Sequence, residues 1–273
     1  MITGTKNAFV QRGFILMALA TSMSCGAQLV PYDNFNSNHI NPSKWTGAQG
    51  YDPDLRDTVR QISREKDHSV LHLSQTAYSS TADDSGGSGG IFGLAFSNPG
   101  AITETSFVVR VNKAETANCS SNDSSIVTDA EFRGSFFNTE TLPPTQVGDV
   151  VALIDVERDQ SSVGSSLTVA GSYARCDDQF CASHTLLDYR VLGSVRFGDE
   201  ARLRIKWDQQ GHRFIFQLNN DPEVVSNYTV SDSSPAFFPS KTIDLARVVP
   251  HCSTAPRPFA SIDASFRAVY VNP

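Results

Sequence analysis

The sequence predicts an all-β protein, an antiparallel β-sandwich, and three observations carry that expectation. The first is residues 201–219. Leu203, Ile205 and Trp207 alternate with Arg202, Arg204 and Lys206, and after the polar turn 208–212 Phe214, Phe216 and Leu218 alternate again. Successive strand side chains point to opposite sides of a sheet, so this is a hairpin with one apolar and one wet face. Such a face needs a second layer to cover it. The second observation is that similar period-2 runs recur along the chain, whereas no helix of ordinary length has both start and stop signals. The third is composition: 18 Gly and 13 Pro among 273 residues supply the frequent turns of an all-β chain.

The chain is long enough for one large β domain or two small ones, with 40% hydrophobic residues to build the core. Lys and Arg total 22 against 29 Asp and Glu, a formal charge of −7. That balance argues against a nucleic-acid partner, which needs a basic footprint.

Residues 1–27 read as a secretory signal. Lys6 and Arg12 precede a short apolar stretch at 13–22, and small residues follow around Ser24-Cys25-Gly26-Ala27. A ten-residue stretch is short of the roughly 20 that a spanning helix requires. The expected product is exported, as a secreted, periplasmic or cell-surface protein. Cleavage before Cys25 would leave a lipid-anchored cysteine, although Ser22 stands where a lipoprotein box carries Leu; that anchor is the only membrane attachment expected. With Cys25 set aside, Cys119, Cys176, Cys181 and Cys252 form an even set in an exported chain, which reads as disulfides. Three pairings are open. One closes the short loop Cys176–Cys181 and leaves Cys119 with Cys252.

Beyond the signal, Asp33-Asn34-Phe35 leads through a polar turn to Pro42-Ser43-Lys44-Trp45, placing Phe35 and Trp45 in one core. Strands are expected at 59–62 and 69–77. The stretch 83–90 reads as a flexible Gly- and Ser-rich loop, without the Gly-Lys-Ser/Thr ending of a phosphate loop. Further strands are expected at 91–96 and 103–111, with a polar loop at 114–123. After it come strands at 127–137 and 148–159. In the latter, Val150, Ala152, Ile154 and Val156 take the core face, and Val151, Leu153, Asp155, Glu157 and Asp159 the other. Runs at 167–173, 186–195, 223–230, 241–248 and 260–271 complete the pattern.

Three segments together resemble the concanavalin A-like lectin and glucanase superfamily: the opening Asp33-Asn34-Phe35 with Pro42-Ser43-Lys44-Trp45, the 201–219 hairpin, and the closing run Ile262-Asp263-Ala264-Ser265-Phe266-Arg267-Ala268-Val269-Tyr270-Val271. They lie in that superfamily's order and span almost all of 28–273. The resemblance therefore implies a single jelly-roll sandwich over those residues, with a glycan as partner.

The resemblance also implies where chemistry would sit. Retaining glucanases of this type place a nucleophile, a supporting acid and a general acid/base at alternate positions of one strand. Here Asp155 and Glu157 match the second and third positions in kind, but Leu153 occupies the first. Leucine can neither attack a sugar carbon nor transfer a proton. The expected function is therefore binding of a carbohydrate or surface without catalysis, with glycoside hydrolysis or polysaccharide lysis as the alternative. Asp155 and Glu157 are also the two candidate catalytic groups, should there be any. Arg202, Arg204 and Lys206, on one side of a strand, are candidates to meet an anionic glycan. The bland alternative for both sets is a solvated face laced with ion pairs. A lyase would use groups such as His212 and Tyr189, but no segment resembles a lyase motif. No cofactor is expected. Asp52, Asp54, Asp83, Asp84, Asp177 and Asp178 lie in loops whose oxygens would suit a structural calcium.

Overall fold

The computed structural model describes residues 28–47, 50–52, 56–78, 87–117, 127–140, 145–159, 162–250 and 259–273. The signal segment with Cys25, together with Cys119, Cys252, Asp54, Asp83 and Asp84, lies outside the described residues. Two antiparallel sheets face each other. The first runs β14 (Val224–Asn227), β13 (Arg213–Leu218), β12 (Ala201–Asp208), β7 (Glu104–Ala117), β17 (Phe259–Val271), β5 (His68–Tyr78), β4 (Arg56–Glu65) and β3 (Gly50–Asp52), with β1 (Val30–Asp33) paired to the end of β17. The second runs β11 (His184–Arg196), β10 (Ser166–Cys176), β9 (Asp149–Asp159), β8 (Val127–Asn138), β16 (Lys241–Pro250), β6 (Gly87–Phe96) and β2 (Trp45–Thr46), with β15 (Ser234–Pro235) on β8. Among the described residues the only helix is one 3-10 turn at Pro99–Ala101.

Alternation sets which residues meet between the layers. Phe132, Val150, Ala152, Ile154 and Val156 of the second sheet are fully buried, as are Leu203, Phe107, Phe214, Phe216 and Phe266 of the first. The layers approach closely at Gly171 on β10, where a Cβ would lie 2.4 Å from the Phe216 ring. A side chain there would have to push the two sheets apart, and tightly packed interiors resist such insertions. Trp207, expected in the core, is instead half-buried at its edge. It stacks on Phe137 at 5.4 Å between centroids and donates its indole N–H to Tyr228 Oη at 2.7 Å.

The opening motif closes on itself. Asp33 accepts the Phe35 amide through Oδ1 at 2.9 Å and the Trp45 indole N–H through Oδ2 at 2.7 Å. That carboxylate ties the chain before and after the polar turn, and Phe35 stacks on Trp45.

Two expected loops give way to strand at one end, the first at its end and the second at its start. Gly87 to Gly90 are the start of β6, paired residue by residue with Pro250 to Arg247 of β16. The strand β7 runs to Ala117, with Ala114 opposite Ile262. In both places a neighbouring strand supplies backbone partners, and ladder pairing overrides a weak local preference.

Candidate functional site

The outward side of the second sheet collects acidic residues from three strands. Strand pairing puts Asp244, Glu131 and Asp155 side by side in one row, since Glu131 of β8 stands opposite both Asp244 of β16 and Asp155 of β9. Gly93 of β6 and Ala170 of β10 flank the three acids in that row. In the adjacent row Asp129 stands opposite Glu157, and on the other side Arg133 stands opposite Leu153. Directly opposed side chains have Cβ atoms roughly 4.5–5.5 Å apart, so each of these five carboxyls has at least one other as a cross-strand neighbour. A Cβ on Gly93 would lie 2.1 Å from the Ile243 carbonyl and 2.4 Å from Asp244 Cβ, which leaves no room for a side chain beside Asp244.

Burial grades the cluster. Asp244, Glu131 and Asp155 are 0%, 1% and 5% exposed and form its floor; Asp129, Arg133 and Glu157 are half-buried and form its mouth. Asp155 is therefore far less wet than its place in the alternation implies. Arg133 Nη2 donates to Glu131 Oε1 at 2.5 Å, and Tyr189 Oη of β11 donates to Glu157 Oε1 at 2.6 Å. Thr242 Oγ1 donates to Asp244 Oδ2. Asp129 Oδ1, Asp155 Oδ1, Asp244 Oδ1 and Arg133 Nε are buried with no partner.

These surroundings act on the protons. Burial, followed by the charges of Glu157 and Glu131, pushes Asp155 well above the usual carboxylate range, against a backbone hydrogen bond from Ala170. Burial likewise raises Asp129, helped by Asp155, Glu131 and Glu157. Asp244 rises through burial and then Glu131, an arrangement of carboxyl beside carboxyl that a shared proton favours. For Arg133, burial works downward, but Glu131 and Asp244 outweigh it and hold the guanidinium more firmly charged. Burial raises the Tyr189 phenol too, and its bond to Glu157 adds to this.

Arg202, Arg204 and Lys206 belong to β12, in the other sheet, so they and the Asp155–Glu157 pair are not parts of one site. Arg204 Nε donates to Glu104 Oε1 at 2.7 Å and its Nη1 to Glu223 Oε1 at 2.5 Å, while Lys206 Nζ lies 3.7 Å from Glu104 Oε2. Arg202 is exposed. His212 sits at the β12–β13 turn with its Nδ1 3.1 Å from Asp232 Oδ2, an oxygen that also accepts the Tyr228 hydroxyl at 2.6 Å. It is likewise apart from Tyr189.

Cys176 and Cys181 form a disulfide. The loop between them is braced by Asp178, which accepts the amides of Phe180, Ala182 and Ser183, and those bonds hold its carboxyl below the usual range. Asp177 accepts the Thr185 hydroxyl at 2.8 Å. Among the described residues no group of three or more His, Cys, Asp or Glu side chains is placed to hold a metal ion.

No family model matches the sequence, and no curated protein matches it by sequence. The structure is similar to solved jelly-roll proteins. A glycoside hydrolase family 16 endo-glucanase from Bacteroides ovatus aligns at TM-score 0.38 and 11% identity, covering 86% of this chain and 98% of that one. A laminarinase from Flavobacterium sp. UMI-01 aligns at 0.39 and 12%, covering 90% and 100%. The winged bean acidic lectin, complexed with methyl-α-D-galactose, aligns at 0.30 and 12%, covering 90% and 99%. At these values the likeness carries no argument about what this chain binds or catalyses.

Asp129, Glu131, Arg133 and Asp244 were not singled out by sequence reasoning. For the first three the signal was present, because they alternate with Ala130 and Phe132 on a strand that one connection joins to β9. Asp244 gave none, since β16 reaches β8 from more than 100 residues away.

Proposed function

We propose that this chain is an exported carbohydrate-binding β-sandwich, a single unit over residues 28–273, released after signal removal or held at a membrane by a lipid on Cys25. Its binding face is the outward side of the second sheet. The observation that carries this reading is the set of buried, unpartnered oxygens of Asp129, Asp155 and Asp244 on a sheet face that opens to solvent at Glu157 and Arg133. A buried polar atom without a partner costs about 1–3 kcal/mol, so such a set calls for a ligand that supplies donors. A saccharide supplies donors along its whole length, and Tyr189 and Arg133 offer further polar contacts at the rim. The resemblance of the opening, hairpin and closing segments to lectin and glucanase sandwiches supports the same class of ligand. Retention on a panel of soluble and insoluble polysaccharides tests it, with wild type retained and Glu157→Gln weakened. A folded protein that no polysaccharide retains ends the reading. Mass spectrometry of the mature N-terminus separates a free Ala27–Gln28 cut from a lipid-modified Cys25.

Hydrolysis is the second reading, favoured by one observation. Carboxyls of raised proton affinity, Asp155 and Asp129, stand beside Glu131 and Glu157, which is the pairing that acid–base cleavage of a glycosidic bond requires. Against it, Leu153 faces Arg133 and Ser172 where a nucleophile would stand, and no other carboxyl occupies that row. New reducing ends released by wild type and lost in Glu157→Gln would establish catalysis.

A further inference from the structure

We infer that the carboxyl row selects a cationic glycan, a saccharide bearing free amino groups, whose ammonium lodges above Glu131, Asp155 and Glu157. This rests on the proposed carbohydrate reading of that face and names the class of sugar it takes. The charge inventory carries it. Asp129, Glu131, Asp155, Glu157 and Asp244 meet in adjacent cross-strand positions, and strand pairing places one guanidinium, that of Arg133, among them. Arg133 is already committed to Glu131.

Three of the five acids also present a buried oxygen that no donor reaches. An ammonium group brings three donors and one positive charge on a compact head, so above Glu131, Asp155 and Glu157 it can offer a donor to Asp155 and offset the crowded negative charge together. A neutral hydroxyl offers the donor alone. A uronate or a sulfate would add like charge to a half-buried acidic face, which costs several kcal/mol. The raised proton affinity of Asp129, Asp155 and Asp244 fits a face that takes up protons where a cationic ligand would otherwise sit. A metal ion is the weaker occupant, because among the described residues no group of three or more His, Cys, Asp or Glu side chains is placed to hold one.

Calorimetric titration of the full mature chain near pH 6 tests this with four probes: a glucosamine tetramer, its fully N-acetylated counterpart, a neutral glucose tetramer, and spermine. The glucosamine tetramer is expected to bind about tenfold or more tightly than the other two sugars, the worth of one charge-assisted contact. Asp155→Asn and Glu157→Gln should each erase most of that preference. Glu157→Gln is the check against misfolding, because Glu157 lies at the half-buried mouth, and a circular dichroism melt confirms the fold of both. Equal or tighter binding of the N-acetylated or neutral tetramer overturns the cationic inference and leaves the carbohydrate reading standing. Binding of spermine with no binding of any sugar keeps a cation site but overturns the carbohydrate reading. Silence from all four overturns both.

Discussion

The two outward faces of the sandwich handle charge in opposite ways. On the outward face of the first sheet, acids among the described residues are paired with bases. Glu65 meets Arg110, Glu200 meets Arg267, Glu104 meets Arg204 and Lys206, and Asp263 meets His72 at 2.7 Å. On the second sheet five acids crowd one arginine, and three of them keep an oxygen without a partner. Paired charges are what a solvated structural face needs. An unbalanced, half-buried set lowers stability, and a fold retains such a set where something other than stability is served. The contrast locates the candidate site better than any motif in the chain.

The strongest way to break the contrast is to remove the one base from the acidic face. Arg133→Met leaves Glu131, 1% exposed, without its 2.5 Å partner. Removing one member of a buried ion pair typically costs 3–5 kcal/mol, and about 3 kcal/mol is expected here because Arg133 itself is half-buried. Urea denaturation at pH 8 measures it.

Lys241 sharpens the comparison from the core side of the same sheet. It is 3% exposed, donates to the Ser135 carbonyl at 2.9 Å, lies over the Phe136 ring, and is held by burial at a pKa of about 8. The unfolded amine keeps its proton up to about 10.5, so between pH 8 and 10.5 the unfolded state binds more protons than the folded state. Stability contributed at this position therefore rises with pH across that window. The gap corresponds to about 3 kcal/mol. Lys241→Met is expected to stabilise the protein at pH 7 by up to about that amount and to abolish the alkaline rise, as read from denaturation midpoints at pH 7 and pH 10.

How much of this was legible in sequence follows from range. The layers and their inward faces were, because alternation such as Val150-Ala152-Ile154-Val156 is a local signal, and those four side chains are fully buried. The short disulfide was among the open pairings for the same reason of proximity. The acidic face was half legible. Asp155 and Glu157 stood out through the resemblance, but their neighbours depend on which strands pair, and β16 reaches β8 across a separation that no local pattern encodes. The separation of Arg204 and Lys206 from Asp155 has the same origin: charge type was readable, sheet membership was not. Gly87 to Gly90 show the reverse error, since a loop-like composition was drawn into a ladder by β16.

Asp155→Asn acts on the crowded row more gently. Its folded pKa is raised above the unfolded value, so the folded state holds the extra proton, and stability at this position is lost as pH climbs from about 4 through the raised value. Replacing the acid with a neutral isostere removes that loss. A gain of about 1–2 kcal/mol is expected near pH 8, vanishing near pH 4, in thermal melts of the two proteins side by side. A loss at pH 8 would mean that the Asp155 charge is compensated in the free protein.

The smallest effect belongs to the paired face, and its smallness is the point. Arg267 reaches both Glu200 oxygens, with 3.0 Å at Nε, and Glu200 lies about as open to solvent as Arg267. Burial opposes but does not overcome the pair's mutual stabilisation: the Arg267 bond lowers Glu200, and Glu200 raises Arg267. Exposed pairs of this kind yield about 0.2–1 kcal/mol, because water and side-chain entropy take back most of the attraction. Arg267→Ala should therefore cost under about 1 kcal/mol, and the cost should fade in half-molar salt as screening shortens to a few ångströms. Arg133→Met should keep most of its penalty in the same salt, because the carboxylate it strands is buried. If the two substitutions cost the same and respond alike to salt, the faces do not differ in the way their pairing indicates.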